Sequence, residues 1–157
     1  MLNPTVPPRD LTSAETRLLE RALEVAPRAL NPVSRFHVGA AIQAADGDIY
    51  TGTFFESSSF PLGVCAEAAA LAAALTAGVR DFDTIAVVGG DPRSPEPGRP
   101  VTPCGGCRQR IFDVTGAPHR NVNVLCADLT VSQVYRLGIC DLLPLPFSVE
   151  DLPPSSA

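Results

Sequence analysis

Two short cysteine motifs constrain this chain more than any other feature: Val64-Cys65-Ala66-Glu67 and Pro103-Cys104-Gly105-Gly106-Cys107. Cysteines three positions apart at the start of a helix lie on one face and can chelate one ion. A helix N-terminus also favours the thiolate, because its unpaired N–H groups point towards it. Taken alone, Cys104 and Cys107 fit half of a structural zinc site, a redox dithiol, or half of a catalytic metal centre. Cys65, at the predicted start of another helix, supplies a third soft ligand. Three thiolates leave the fourth tetrahedral position to water, whose pKa zinc lowers towards neutrality. Glu67, two residues beyond Cys65, is then placed to take a proton from that water and pass it on. A structural site would want a fourth protein ligand, but Cys126, Cys140 and His119 form no pair with zinc-finger spacing.

The rest of the sequence suits a small, soluble enzyme. A length of 157 residues fits one compact domain, expected over residues 11–150, with flexible ends at 1–10 and 151–157. A net charge of -5 and the lack of a basic run argue against nucleic acid as partner and favour a small ligand. The N-terminus has no secretory pattern, and the Ala-rich stretch from Ala66 to Ala77 is too short to span a bilayer. The expected location is the cytoplasm, with the five cysteines read as ligands and buried thiols rather than disulfides.

Local patterns place the motifs on elements. Thr12-Ser13-Ala14-Glu15 has capping-box spacing, and the helix it opens should stop before Pro32. Strands are predicted at Phe36 to Gln43 and Ile49 to Thr53, joined as a hairpin by Asp46-Gly47. A helix from Val64 or Cys65 to Gly78 follows, then a buried strand over Thr84 to Val88. The Pro-rich segment from Asp91 to Pro100 reads as an exposed loop that could border the active site. A third helix should run from Cys104 to near Gly116, and a strand over Asn121 to Cys126. Ser132 to Leu137 reads as a short helix, and Asp141 to Pro144 as a final helical turn. This order predicts a mixed sheet covered by helices.

A Glu that is not a ligand followed by Pro-Cys-x-x-Cys is the signature of zinc nucleobase deaminases. With Ser34-Arg35-Phe36-His37-Val38-Gly39-Ala40-Ala41, Ser59 to Glu67, Pro103 to Gln109 and Asp141 to Phe147, the chain resembles the small, homotetrameric cytidine deaminases. The resemblance implies a three-layer α/β/α fold around a mixed five-stranded sheet, one Zn²⁺ per subunit on Cys65, Cys104 and Cys107, and Glu67 as catalytic residue. It further implies that Phe36 and Val38 wall the base pocket and that the backbone N–H of Ala66 binds the pyrimidine carbonyl. Glu56 would accept a ribose hydroxyl, and Phe147 would reach over the base from a neighbouring subunit.

Four positions depart from the family pattern. Phe54 stands where a sugar-binding Asn is usual, Phe60 replaces a Tyr, and Val33 replaces another aromatic. Ala68 replaces an Arg that hydrogen-bonds the ligand thiolates, as in blasticidin-deaminating relatives, so compensation for the thiolate charge falls to helix dipoles and to donors such as Arg108. Cytidine or 2′-deoxycytidine is the expected substrate; a modified cytosine nucleoside or nucleoside antibiotic is the alternative that Phe54 raises, and a non-catalytic zinc-fold module is the third. Elsewhere the residues read plainly. Cys126 and Cys140 are core thiols, His37 faces away from the pocket, and His119 is solvated.

Overall fold

The computed structural model describes residues 4–94, 96–115 and 120–153. Six strands form one mixed sheet: β1 (Thr5–Val6), β2 (His37–Ala44), β3 (Ile49–Thr53), β4 (Phe82–Gly90), β5 (Asn123–Asp128) and β6 (Val134–Gly138). Their order across the sheet is β1-β6-β5-β4-β2-β3. Only β4 and β5 are parallel, with Thr84 opposite Asn123 and Gly89 opposite Asp128, and the crossover between them carries a helix. The helices are α1 (Ser13–Val25), α2 (Ala66–Thr76), α3 (Gly105–Thr115) and α4 (Ile139–Leu142).

Alternation along the strands sorts the core into two layers. Ala40 and Ile42 of β2, Ile85 and Val87 of β4, and Val124 and Cys126 of β5 pack with Ala66, Ala70 and Leu71 of α2 and Ile111 and Phe112 of α3. The intervening Ala41, Ala86, Val88, Leu125 and Ala127 face Leu18, Leu19 and Ala22 of α1. The expected α/β/α layering is therefore present, with α1 alone on one face.

Glycine sets how closely the helices approach the hairpin. A Cβ on Gly39 would stand 2.1 Å from the Ala22 carbonyl oxygen of α1. A Cβ on Gly52 would stand 2.3 Å from the Ala70 amide nitrogen of α2. Backbone meets backbone on both faces, which no other residue allows.

Three expectations need correction. Ser132 to Leu137 is not a helix: Val134–Gly138 is β6, antiparallel to β5, with Cys126 opposite Tyr135. The β-branched and aromatic Val134-Tyr135 pair suits a strand, and the free edge of β5 supplies the partner. The first ten residues are not all loose, because Thr5 and Val6 pair with Tyr135 and Val134. This short strand makes the sheet six-stranded rather than five-stranded. The expected end of α3 at Gly116 and the solvated His119 lie outside the described residues.

The capping box is formed as the spacing implied. The Glu15 amide donates to the Thr12 hydroxyl at 3.2 Å, and the Thr12 amide donates to the Glu15 carboxylate at 2.8 Å. That carboxylate also receives two hydrogen bonds from Arg136 of β6, both 2.7 Å, so it joins the helix start to the sheet.

Candidate metal centre and active site

Two helix starts meet to build the site. Phe55 and Val64 exchange backbone hydrogen bonds of 3.0 and 2.9 Å, which closes the 56–63 loop one residue before Cys65. Cys65 then takes the N-cap of α2 in extended conformation, and its carbonyl accepts from the Ala69 amide at 3.1 Å. On the other side, the Val101 amide donates to the Ala127 carbonyl at the end of β5, anchoring the Pro-rich loop. Pro103 is buried, and the Cys104 carbonyl accepts from the Arg108 amide as α3 begins.

The result is a triad of thiols from Cys65, Cys104 and Cys107, whose sulfur atoms all lie within 4.8 Å of one another. The Cys65 and Cys104 sulfurs are 3.9 Å apart. Two thiolates on one tetrahedral zinc ion stand about 3.8 Å apart, given a Zn–S bond of about 2.3 Å. The donor set therefore fits zinc in both chemistry and spacing.

Charge in the triad is shared unequally. A hydrogen bond from Cys107 is the main reason that the Cys65 thiol falls to about 6; Cys104 and the charge of Arg110 help, while burial opposes. Cys107 is pushed up by the same hydrogen bond, then by burial and the neighbouring negative charges. One thiolate forms readily while its hydrogen-bonding neighbour stays protonated, and a dication would let the others ionise as well.

Glu67 lies in the first turn of α2 and is only 4% exposed. Burial raises its pKa, and the charge at Cys65 adds to that, against a hydrogen bond from its own backbone N–H. A buried carboxyl held towards its protonated form is suited to proton transfer.

A cavity of about 170 Å³ opens onto this centre. Cys65, Cys104, Ala66 and Glu67 form its polar end, and Phe36, Val38 and Phe54 form apolar walls. The structure thus brings together most of the residues expected at the site. Ala66 is the first residue of α2, where backbone N–H groups have no partner within the helix. Val101 and Thr102 also line the cavity and were not foreseen; their place just before Pro103-Cys104 was the available signal.

Glu56 and Phe147 lie outside this cavity. The Glu56 carboxylate accepts from the backbone N–H groups of Val33 at 2.9 Å and Ser34 at 3.1 Å. Hydrogen bonding at Ser34, then at the Val33 amide, lowers its pKa. Phe147 is 61% exposed on the C-terminal segment, away from the cavity of its own chain. Phe60 and Val33 are also exposed.

Arg108 does not serve the thiolates. Its guanidinium donates to the carbonyls of Pro103 at 2.8 Å and Leu142 at 3.0 Å. Arg110 is the cation whose charge reaches Cys65 and Glu67. Of the remaining cysteines, Cys126 is buried in the core, where burial and then the charge of Glu67 push its thiol up to about 12.

A helix-covered mixed sheet, a three-thiol zinc site at two helix starts and a buried carboxyl beside it define a zinc-dependent hydrolase of the deaminase class. Comparison with known proteins narrows this. The family profile described as cytidine and deoxycytidylate deaminase zinc-binding region matches residues 12–126, and the chain belongs to that family. It is 36% identical over 135 residues to a cytidine deaminase of Halalkalibacterium halodurans, covering 86% of this chain and 95% of the relative. A crystal structure of cytidine deaminase from Burkholderia pseudomallei superimposes with a TM-score of 0.73 at 36% identity, over 87% of this chain and 100% of the other. A blasticidin-S deaminase of Bacillus cereus is 42% identical over 83 residues, which are 51% of this chain and 59% of that protein. No helix among the described residues is long and apolar enough to cross a membrane.

Proposed function

We propose that this protein hydrolyses the exocyclic amine of a cytosine nucleoside, cytidine or 2′-deoxycytidine, giving the uracil nucleoside and ammonia. The observation that carries this reading is the placement of buried Glu67 beside the thiol triad at the polar end of an apolar cavity. Bound by Cys65, Cys104 and Cys107, zinc supplies Lewis acidity that makes water a nucleophile near neutral pH. Phe36 and Val38 hold the base between apolar surfaces, and the Ala66 N–H donates to the pyrimidine carbonyl. Ionised Glu67 takes one proton from the attacking water and passes it to the ring nitrogen of the base. It then takes the remaining proton of the added hydroxyl and passes it to the amine, which leaves as ammonia while the new carbonyl forms. Its burial keeps that proton from bulk solvent. Glu56, steadied by Val33 and Ser34, accepts from a sugar hydroxyl.

The cavity of one chain is small for a whole nucleoside, and Phe147 points elsewhere. Both observations favour a site completed by a neighbouring subunit, and we propose a homotetramer, cytoplasmic in location, in which Phe147 of that neighbour closes the site over the base. The deciding experiment is Glu67→Gln with zinc retained. General acid–base catalysis is worth about 10²–10⁴-fold, so turnover should fall by that range, and undiminished turnover would sink the mechanism.

A second reading keeps the chemistry and changes the substrate. Phe54 lines the cavity where a polar sugar-binding residue was expected, and a blasticidin-S deaminase is among the relatives. A modified cytosine nucleoside or nucleoside antibiotic would then be preferred. Ultraviolet absorbance over a panel of cytosine nucleosides separates the two.

A further inference from the structure

Three thiolates give a dication a net negative set of ligands, and the carboxyl of Glu67 stands against the same centre. We infer that Arg110 is a positioning residue of this centre, its guanidinium balancing the thiolate charge from the helix that carries Cys107. The inference rests on the triad holding zinc and not on which nucleoside is deaminated.

Position on α3 is the first argument. Arg110 follows Cys107 by three residues and Gly106 by four, so all three share one face of the helix. Long helical side chains lean towards the N-terminus, here towards the turn that carries the ligands. The Nη1 atom of Arg110 lies 3.3 Å from where a Cβ on Gly106 would stand. Glycine at 106, between Cys104 and Cys107, therefore leaves the surface over which the guanidinium folds back.

The second argument is the want of another cation. Ala68 stands three residues after Cys65 on α2, the same offset as Arg110 from Cys107, and carries no charge. Arg108 is committed to the Pro103 and Leu142 carbonyls. Arg110 takes part in no salt bridge found among the described residues, so its charge is not already spent on a carboxylate. Arg110 is exposed, so solvent screens part of that charge.

The test compares Arg110→Met, which keeps much of the stem and removes the charge, with Arg110→Lys, which keeps the charge. Zinc affinity is read at pH 7 by competition with a chromophoric chelator, without any substrate. Outer partners of metal ligands are typically worth about 10–100-fold in affinity, so Arg110→Met should bind zinc at least about 10-fold more weakly. Arg110→Lys should recover most of that loss. Because Arg110 is exposed, the metal-free proteins should melt together. Unchanged zinc affinity in Arg110→Met overturns the inference, and so does an equal loss in both variants. The absence of deaminase activity on every nucleoside tried would leave this result standing.

Discussion

The side-chain amide of Gln109 donates to the Phe147 carbonyl at 2.7 Å and to the Asp113 carboxylate at 2.8 Å. Gln109 lies two residues beyond Cys107 on α3, so the helix that carries metal ligands also holds the C-terminal segment. Arg108 adds a second tie through the Leu142 carbonyl. Removing one exposed hydrogen bond costs about 1 kcal/mol or less, too little to unfold the domain. Gln109→Ala should therefore raise KM severalfold, leave kcat within about twofold and speed amide hydrogen exchange around Phe147. Unchanged exchange in that segment would count against the tie.

Phe54 offers a direct test of substrate choice. It lines the cavity with an apolar ring that can neither donate to nor accept from a sugar hydroxyl. Phe54→Asn should improve kcat/KM for cytidine relative to the free base, by about 10-fold if one hydrogen bond to the ribose is gained. An identical dependence on the sugar in both proteins would remove Phe54 from the specificity argument.

Stability should depend on acid through Glu15. Burial raises its pKa, but hydrogen bonds from Arg136 and Thr12 outweigh this and hold it below the ordinary value of 4.5. A carboxyl whose pKa is lowered by folding stabilises the protein above its unfolded pKa, and that contribution is lost as pH falls through the folded value. Glu15→Gln keeps a capping-box residue and removes the charge. In urea titrations the variant should be less stable by about 1 kcal/mol at pH 7, with the gap closing below about pH 4. A gap that stays constant across this range would place the effect elsewhere.

Gly39 is the position least able to accept a side chain. Its Cβ would meet the Ala22 oxygen at 2.1 Å and the Ala26 nitrogen at 2.8 Å, both backbone atoms that move only with α1. Gly39→Ala should cost about 2–3 kcal/mol or more, seen as a lower denaturation midpoint with an unchanged m-value. A wild-type midpoint would show that α1 can shift outward freely.

The metal centre was legible because its information is local. Cys65 and Cys104 declare themselves at helix starts, and the offsets to Glu67 and Cys107 fix which side chains share a turn. The walls at Phe36, Val38 and Phe54 followed from family resemblance and the hairpin. Arg110 was not legible, because Arg108 and Arg110 differ only in the direction each side chain takes over its helix. β6 was misread because six residues contain too few periods to tell a strand from a helix, and the free edge of β5 decided the matter. The pairing of Thr5–Val6 depended in turn on β6, so one misread element hid the next.

Cys65 and Cys104 stand 39 residues apart in sequence, with β4 and the whole Pro-rich loop between them. An ion shared by these sulfurs is thus a reversible crosslink between two helices, closing a long loop as a disulfide would. Free zinc then acts as a folding ligand as well as a reagent, and each tenfold excess over its dissociation constant adds about 1.4 kcal/mol to the native state. Chelation should loosen the α2–α3 side of the sheet first, while α1 and its face of the core stay packed.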